Sequence, residues 1–254
     1  GQRNAQQPSQ HTGGQQLAGI APLDRVARDG VKQQHRKQQV VDELLHGLPD
    51  AAVDGRETAQ HIAQHDEREI AHKALLLEAI DELVVLQKAS RAGELPEYSR
   101  EVMLREINLF PDWFVAKELG KTLNFKQRQW WQQTVDTLLP PLLAQPQVYV
   151  HRDFIVRNLM LTQGRPGVLD FQDALYGPIS YDLVSLLRDA FIEWEEEFVL
   201  DLVIRYWEKA RAAGLPVSAD FDAFYREFEW MGVQRHLKVA GIFARLSHRD
   251  GKHA

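Results

Sequence analysis

The apolar positions divide the chain into two unlike parts, and the change falls near Lys73. Before this residue, short apolar patches occur without a sustained stripe. After it, apolar residues recur at steps of three and four positions, as they do on one face of a helix. The first stripe predicts a helix that begins near Lys73 and is closed by Gly93 and Pro96. Its apolar positions are Leu75, Leu76, Ala79, Ile80, Leu83 and Val84.

Capping residues predict two short helices after this one. Ser99 can N-cap a helix that runs to about Asn108. Pro111 suits the first helical position of another, which Gly120 ends. Further along the chain, the pattern returns to helix over residues 180–190, 193–213 and 220 to about 247.

The longest helix predicted in the middle of the chain covers residues 125–139 and is N-capped by Asn124. Pro140 and Pro141 are expected to stop its regular course, because proline has no N–H and clashes with the preceding turn. The residues expected to face inward are Trp130, Val135, Leu138 and Leu139.

A stretch of short strands between these helices carries a group of polar residues. A strand over residues 148–150 leads into His151-Arg152-Asp153, and Asn158 stands at the start of a second strand. A turn over residues 163–167 returns the chain to Asp170. The spacing His-Arg-Asp-x-x-x-x-Asn, with a strand-borne Asp-Phe after a hairpin, is typical of the catalytic and metal-binding core of kinase-like phosphotransferases.

These residue types suit in-line phosphoryl transfer. A carboxylate at Asp153 can accept a hydrogen bond from the attacking hydroxyl and take its proton late. The carboxamide of Asn158 and the carboxylate of Asp170 are hard oxygen ligands suited to Mg²⁺, and a hairpin would bring them within reach of one ion. His151 is expected to support the loop by hydrogen bonding, since a base belongs beside the acceptor.

A chance match is the alternative explanation for so short a motif, and the chain contains an example. A second His-Arg-Asp, at residues 248–250, lies in a polar tail without a strand or a matching asparagine. At residues 151–173 the loop spacing, the flanking strands, the turn and the Asp-Phe pair all agree. The same reasoning predicts catalysis for the first copy and not for the second.

Composition excludes several classes of function. The net charge of −6 gives no basic footprint for nucleic acid. No apolar run approaches the length of a membrane span, and the N-terminus has no signal-peptide pattern. The absence of cysteine excludes disulfides, thiolate metal sites and a cysteine nucleophile, and it fits a cytoplasmic protein.

The first 72 residues differ in composition from the rest. All 23 aromatic residues lie at or after Tyr98, whereas residues 1–72 hold twelve glutamines and six of the ten histidines. Aromatic side chains supply much of the buried area of a core. Residues 1–72 are therefore expected to be a disordered or weakly helical polar segment, and residues 73–254 to form the folded domain.

From about Lys73 onward the chain resembles the aminoglycoside phosphotransferase and choline kinase-like family. It looks closest to the bacterial kinases that phosphorylate the anomeric hydroxyl of N-acetylmuramate and N-acetylglucosamine in cell-wall recycling. The residues that carry this resemblance are Glu106–Phe114, His151–Phe154, Arg157–Met160, Leu169–Ala174 and Gly177–Arg188.

The resemblance implies an α+β, mostly helical fold: the C-terminal lobe of a protein-kinase-like fold, with a small β-hairpin carrying the catalytic loop. It implies ATP and Mg²⁺ as cofactors and a small sugar or amino sugar as the substrate. Carried over by position, Asp153 becomes the catalytic base, with His151 and Arg152 in the same motif. Asn158 and Asp170 become the magnesium ligands. Asp182 looks like the family aspartate that braces the catalytic loop, although a carboxylate favoured by the helix dipole is an equal alternative.

Three features depart from the family pattern. Ile155 and Val156 stand where many relatives have a histidine and a small residue. Residues 1–72 show no counterpart of the family's N-terminal lobe with its nucleotide-covering loop and strand-borne lysine, and the chain ends earlier than expected for a complete member. An impaired enzyme is therefore expected, and a catalytically inactive kinase-lobe remnant or interaction module is the alternative. A protein kinase is disfavoured, because Asp170-Phe-Gln replaces Asp-Phe-Gly.

Overall fold

The computed structural model describes residues 55–163 and 165–251, with side chains from residue 71 onward. The first 54 residues, including most of the predicted polar segment, lie outside the described part. Helices flank a small region of strands. They are α1 (Gly55–Lys88), α2 (Arg100–Ile107), a π-helical segment (Phe110–Glu118), α3 (Phe125–Leu143), α4 (Tyr181–Leu187), α5 (Glu196–Ala212) and α6 (Phe221–Asp250).

The strands form two small antiparallel pairs. Strand β1 (Gln147–Val150) pairs with β4 (Leu175–Pro178), so that Gln147 lies opposite Pro178 and Val150 opposite Leu175. Strand β2 (Leu159–Met160) pairs with β3 (Gly167–Val168) as the predicted hairpin, with Leu159 opposite Val168. The connections from β1 to β2 and from β3 to β4 contain the polar residues of the motif. The predicted fold class, a mostly helical lobe with a small hairpin carrying the loop, is confirmed.

The core gathers the apolar faces of the helices around β1 and the start of α4. The stripe predicted for α1 is buried at Leu76, Ala79, Ile80, Leu83 and Val84. One buried polar residue on this helix connects distant parts of the chain. The amide of Gln87 donates to the carbonyl of Ile179 at 3.0 Å and accepts from the Tyr206 hydroxyl at 2.6 Å. No helix in the described part of the chain is long and apolar enough to cross a bilayer.

Helix α1 starts earlier than its apolar stripe indicates. It begins at Gly55, so the predicted start near Lys73 is wrong. Residues 56–72 contain no glycine or proline and are rich in good helix formers, which sustain a helix without an apolar face. The helix crosses the predicted boundary between residues 72 and 73, and the division of the chain into two parts stays a prediction.

Helix α3 corrects two expectations. It continues through Pro140 and Pro141 to Leu143, because proline's backbone angle suits a helix and the buried stripe of Leu138 and Leu142 spans both prolines. Trp130, expected to face inward, is 54% exposed.

Trp131 takes the inward position on α3 instead. It packs partly buried against the core and donates its indole N–H to Asn108 at 3.0 Å. It lies four residues before Val135 and seven before Leu138, and these are the spacings of one helix face.

Helix α6 approaches the π-helical segment very closely at one glycine. A Cβ atom added to Gly241 would lie 2.4 Å from the carbonyl carbon and 2.5 Å from the carbonyl oxygen of Leu109. Leu109 stands at the N-terminus of the π-helical segment. The close approach of α6 to Leu109 is therefore possible only because residue 241 is a glycine and has no side chain.

Gly241→Ala is expected to lower the free energy of unfolding by about 1–3 kcal/mol, because the new methyl group must displace backbone. Gly232→Ala is the matched control on the same helix, since a Cβ there would meet nothing within 4 Å. The control should raise stability by about 0.5–1 kcal/mol through helix propensity. Urea unfolding of both variants measures this, and a Gly241 variant as stable as the control would contradict the close contact.

Candidate active site

The loop after β1 is held by the carboxylate of Asp182 in the first turn of α4. One carboxylate oxygen accepts from the backbone N–H of His151 at 2.6 Å, and the other accepts from that of Arg152 at 3.0 Å. Asp182 is fully buried. Burial raises its pKa to about 7, and the two backbone N–H groups and Arg235 offset only part of that rise. These bonds support the predicted role of Asp182 as a brace, which stays a prediction.

Two residues of the motif adopt a left-handed backbone. Arg152 has φ of 75° and Asp170 has φ of 70°, and among the described residues no other non-glycine residue has a positive φ. This conformation costs free energy for residues with a side chain, and it persists where the surroundings impose it. Both strained positions fall within the predicted site, one beside Asp153 and one at the predicted metal ligand.

Asn158 and Asp170 lie at the same end of the β2–β3 hairpin. The backbone N–H of Leu169 donates to the carbonyl of Asn158 at 2.9 Å, which places the two strand ends side by side. The amide of Asn158 donates to the carbonyl of Asp153 at 2.8 Å, so its carboxamide oxygen is left for a ligand. The exposed carboxylate of Asp170 accepts from Gln172.

This donor set fits Mg²⁺, which binds hard oxygens and keeps several water or phosphate ligands. Among the residues whose side chains are described, no group of three or more histidine, aspartate or glutamate side chains could hold a metal ion by itself. A site built from one amide and one carboxylate needs the phosphates of a substrate to complete it. The arrangement therefore suits a nucleotide-bound ion better than a resident structural one.

Asp153 and His151 occupy different environments. Asp153 is exposed at the start of the loop, where a hydroxyl can reach it. His151 is buried, with its ring edge-on to Phe154 at 5.9 Å. Burial lowers the pKa of His151, against the opposing charges of Asp153 and Asp170 and the nearby backbone of Leu169. His151 packs against Phe154 and lies near the backbone of Leu169, and its support of the loop through a hydrogen bond stays a prediction.

Arg152 is turned away from the exposed face of the loop into a buried ionic network. Its guanidinium pairs with Glu106 of α2 at 2.5 Å and donates to the carbonyl of Asp173 at 3.3 Å. Lys238 of α6 pairs with the same carboxylate at 3.1 Å and donates to Tyr181 at 2.8 Å. The network joins α2, α4 and α6 to the loop and to the segment after Asp170.

The charges in this network stabilise one another. Burial alone would raise the pKa of Glu106, but Lys238, the Tyr98 hydroxyl and Arg152 outweigh it and hold the pKa below its usual value. Burial alone would lower the pKa of Lys238, but Tyr181 and Glu106 outweigh it. All three ionic groups therefore stay charged around neutral pH.

Glu106 lies in a stretch that carries the family resemblance, but the sequence motif indicates no role for it, nor for Lys238. Glu106 lies three residues after Met103 and one before Ile107, both fully buried, on the inward face of α2. A charged residue on an otherwise apolar helix face was the available signal. Its partner on α6 could not be chosen from several cations on that helix without the tertiary structure.

Comparison with known proteins identifies the family. Residues 42–215 match the model of the phosphotransferase enzyme family. The chain belongs to this family. The recognised family is therefore confirmed, and no comparison supports the alternative of an inactive remnant.

Relatives of this chain carry the name N-acetylmuramate/N-acetylglucosamine kinase. The protein from Neisseria meningitidis serogroup B is 87% identical over 187 residues, which cover 74% of this chain and 56% of the relative. The protein from Pseudomonas aeruginosa is 51% identical over 174 residues, which cover 68% of this chain and 52% of the relative. The chain thus spans about half the length of the curated relatives it matches.

Among solved structures, the choline kinase of Cryptosporidium parvum aligns with a TM-score of 0.49 and 11% sequence identity. The alignment covers 68% of this chain and 59% of that structure.

The raised pKa of Asp182 predicts a pH-dependent cost of ionising this buried carboxyl. A carboxyl whose pKa is raised on folding contributes its full stability at pH values below its pKa in the unfolded chain. That stability is lost as the pH rises toward the folded-state pKa of about 7. The free energy of unfolding of Asp182→Asn, minus that of the wild type, should therefore increase with pH between about 4 and 7, by at most about 1.4 kcal/mol per unit. Denaturant unfolding at pH 5 and pH 7 measures this, and a difference independent of pH would contradict it.

Removing the shared carboxylate of the network should be costly. Glu106→Gln leaves Arg152 and Lys238 as buried cations without a counter-charge, and a loss of about 3–5 kcal/mol in unfolding free energy is expected. Asp136→Asn is the control, because it removes an exposed partner 3.5 Å from Arg100 and should leave stability close to wild type. Equal effects in the two variants, measured by urea unfolding, would show that the buried network does not stabilise the lobe.

Proposed function

We propose that the chain transfers the γ-phosphate of ATP to a hydroxyl group of an amino sugar, with Mg²⁺ as the metal cofactor. The observation that carries the proposal is the arrangement of Asp153, Asn158 and Asp170 around the end of the β2–β3 hairpin. The names of relatives that are 87% and 51% identical support an amino sugar as the acceptor, specifically N-acetylmuramate and N-acetylglucosamine.

In this proposal Asp153 is the catalytic base. Its exposed carboxylate accepts a hydrogen bond from the acceptor hydroxyl, aims the oxygen at the phosphorus, and takes the proton as the new bond forms. Mg·ATP supplies the phosphoryl group and the positive charge that offsets the phosphate oxygens. The amide hydrogen bond from Asn158 to the carbonyl of Asp153 ties the base to the metal ligand, so the two functions share one backbone segment.

The other predicted catalytic residues act at a distance from the reacting atoms. Arg152 is engaged by Glu106 and keeps the left-handed turn that precedes Asp153. His151 fills the space beneath the loop as a neutral ring. Asp182 holds the two N–H groups at the start of the loop. We assign these three residues to positioning of the base and not to contact with the substrate.

Phosphoryl transfer of this kind depends on positioning and electrostatics more than on covalent chemistry by the protein. The loop after β1, with its strained Arg152 fixed by the buried carboxylates of Asp182 and Glu106, meets that requirement. The apolar pair Ile155 and Val156 belongs to the same loop, and Val156 packs against the core. The departure from the family pattern at Val156 therefore adds an apolar anchor to the loop.

Asp153→Asn is expected to lower kcat for amino-sugar phosphorylation by about 100-fold or more, because the amide cannot accept the proton. The second copy of the tripeptide provides a matched control. Asp250→Asn alters the aspartate of His248-Arg249-Asp250 at the end of α6 and should leave kcat unchanged. Release of ADP with saturating Mg·ATP and either sugar measures turnover, and undiminished turnover by the Asp153 variant would remove Asp153 from the role of base.

A further inference from the structure

The two proposed substrates differ in charge near the reacting end of the sugar. N-acetylmuramate carries a lactyl carboxylate and N-acetylglucosamine does not. A site that accepts both sugars can contain a cation that pairs with the carboxylate of N-acetylmuramate. Binding of the neutral sugar must not depend on that cation. The catalytic loop contains two arginines, Arg152 and Arg157. Arg152 already has a buried carboxylate partner in Glu106, so Arg157 is the cation of the loop that is left for a ligand.

Arg157 lies flat on an aromatic ring. Its guanidinium carbon is 3.5 Å from the centre of the Phe191 ring, a direct stacking contact. No ion pair or hydrogen bond joins its side chain to another group in the described part of the chain. Stacking fixes the plane of a guanidinium while its N–H groups remain free at the edges, which suits bidentate binding of a carboxylate.

The surroundings of Arg157 are partly open to solvent. Phe191, which lies between α4 and α5, and Phe243, which lies on α6, are each 37% exposed. Their rings lie 5.4 Å apart. Apolar and aromatic surfaces with a few placed polar groups are typical of small-molecule sites. Arg157 itself directly precedes Asn158 in the loop and follows Asp153 by four residues. The backbone of Arg157 therefore lies between the proposed base and the proposed metal ligand, which a hydrogen bond from Asn158 to the Asp153 carbonyl holds together.

Asp189 carries a carboxyl group whose charge interacts with that of Arg157. Its carboxyl is buried at 8% exposure, and burial raises its pKa against the effects of Arg235 and the backbone N–H groups of Phe191 and Ala190. Arg157 acts on Asp189 more weakly than these groups do. The buried Oδ2 atom of Asp189 has no hydrogen-bond partner among the described residues, so this atom does not occupy the N–H groups of Arg157.

We propose that Arg157, stacked on Phe191, binds the carboxylate of the acidic amino sugar and sets the preference for N-acetylmuramate over the neutral sugar. This inference rests on the proposed function, because it concerns the acceptor side of the same site. It assigns Arg157 a role in specificity, separate from the positioning role of Arg152.

The test uses the 254-residue chain and three ligands: N-acetylmuramate, its neutral lactyl amide, and N-acetylglucosamine. Dissociation constants are measured by calorimetry without nucleotide, and kcat/KM is measured in parallel with Mg·ATP. Arg157→Gln should reduce the preference for N-acetylmuramate over its amide by about 10- to 100-fold, the effect of losing a charged hydrogen-bonded pair. Arg157→Lys should restore only part of it, because lysine keeps the charge without the planar fork.

Arg211→Gln is the matched control. Arg211 also lies over an aromatic ring, 4.7 Å from the centre of Trp207 on α5, so this variant loses the same charge and the same kind of contact. It should keep the wild-type preference. Folding of each variant is checked by thermal unfolding, and a second substitution, Phe191→Leu, should weaken the preference in the same direction by releasing the guanidinium.

The possible outcomes separate this inference from the proposed function. If the wild type binds N-acetylmuramate more tightly than the amide but phosphorylates neither sugar, the proposed function fails while the role of Arg157 is still measured. If Arg157→Gln weakens all three ligands equally, Arg157 positions the loop and the inference is overturned. Failure of the wild type to bind N-acetylmuramate, or a preference that survives in Arg157→Gln, would overturn it as well.

Discussion

The candidate site depends on the hydrogen bonds that the buried carboxylate of Asp182 accepts from the start of the loop. Two backbone N–H groups, of His151 and Arg152, meet the two oxygens of one side chain. A carboxylate without water is costly unless its oxygens are satisfied. The cost explains why the loop geometry is closely specified: a shift of either peptide would leave a buried oxygen without a donor.

A second buried carboxylate acts on the same two-residue segment from the other side. Glu106 holds the side chain of Arg152, and Lys238 of α6 holds Glu106. Backbone and side chain of Arg152 are thus fixed by separate helices, α4 and α2. The hydrogen bond to the backbone and the ion pair to the side chain together account for the left-handed φ of 75° at Arg152. A residue with a side chain disfavours this conformation. The strain is local, whereas the groups that maintain it come from across the lobe.

The two arginines of the loop illustrate how packing gives different surroundings to the same residue type. Arg152 forms a buried ion pair with Glu106. Arg157 lies at a partly exposed aromatic surface and keeps its N–H groups. Nothing in their side chains distinguishes them. The difference arises because one faces Glu106 and the other faces Phe191.

Much of the site was determined by the sequence alone, because its signals are local. The arrangement of His151, Asp153, Asn158 and Asp170 does not depend on how the helices pack, because the strand, the loop and the hairpin that carry them follow one another in the chain. Capping by Ser99 and Asn124 was equally readable, as both caps bond to a residue three positions on. The apolar stripe of α1 likewise identified the residues that it buries.

Tertiary structure decided which helix faces meet and which charged groups are buried. Trp131 and not Trp130 faces the core, and α3 continues through two prolines, because a buried stripe outweighs a local rule. Glu106 and Lys238 are far apart in the chain and look like ordinary polar positions of amphipathic helices. Only packing shows that they share one carboxylate–ammonium contact, and only packing shows which arginine of the loop stacks on an aromatic ring instead of pairing with a carboxylate. Such contacts depend on which helices lie side by side, and a periodic pattern along one helix does not encode its neighbours.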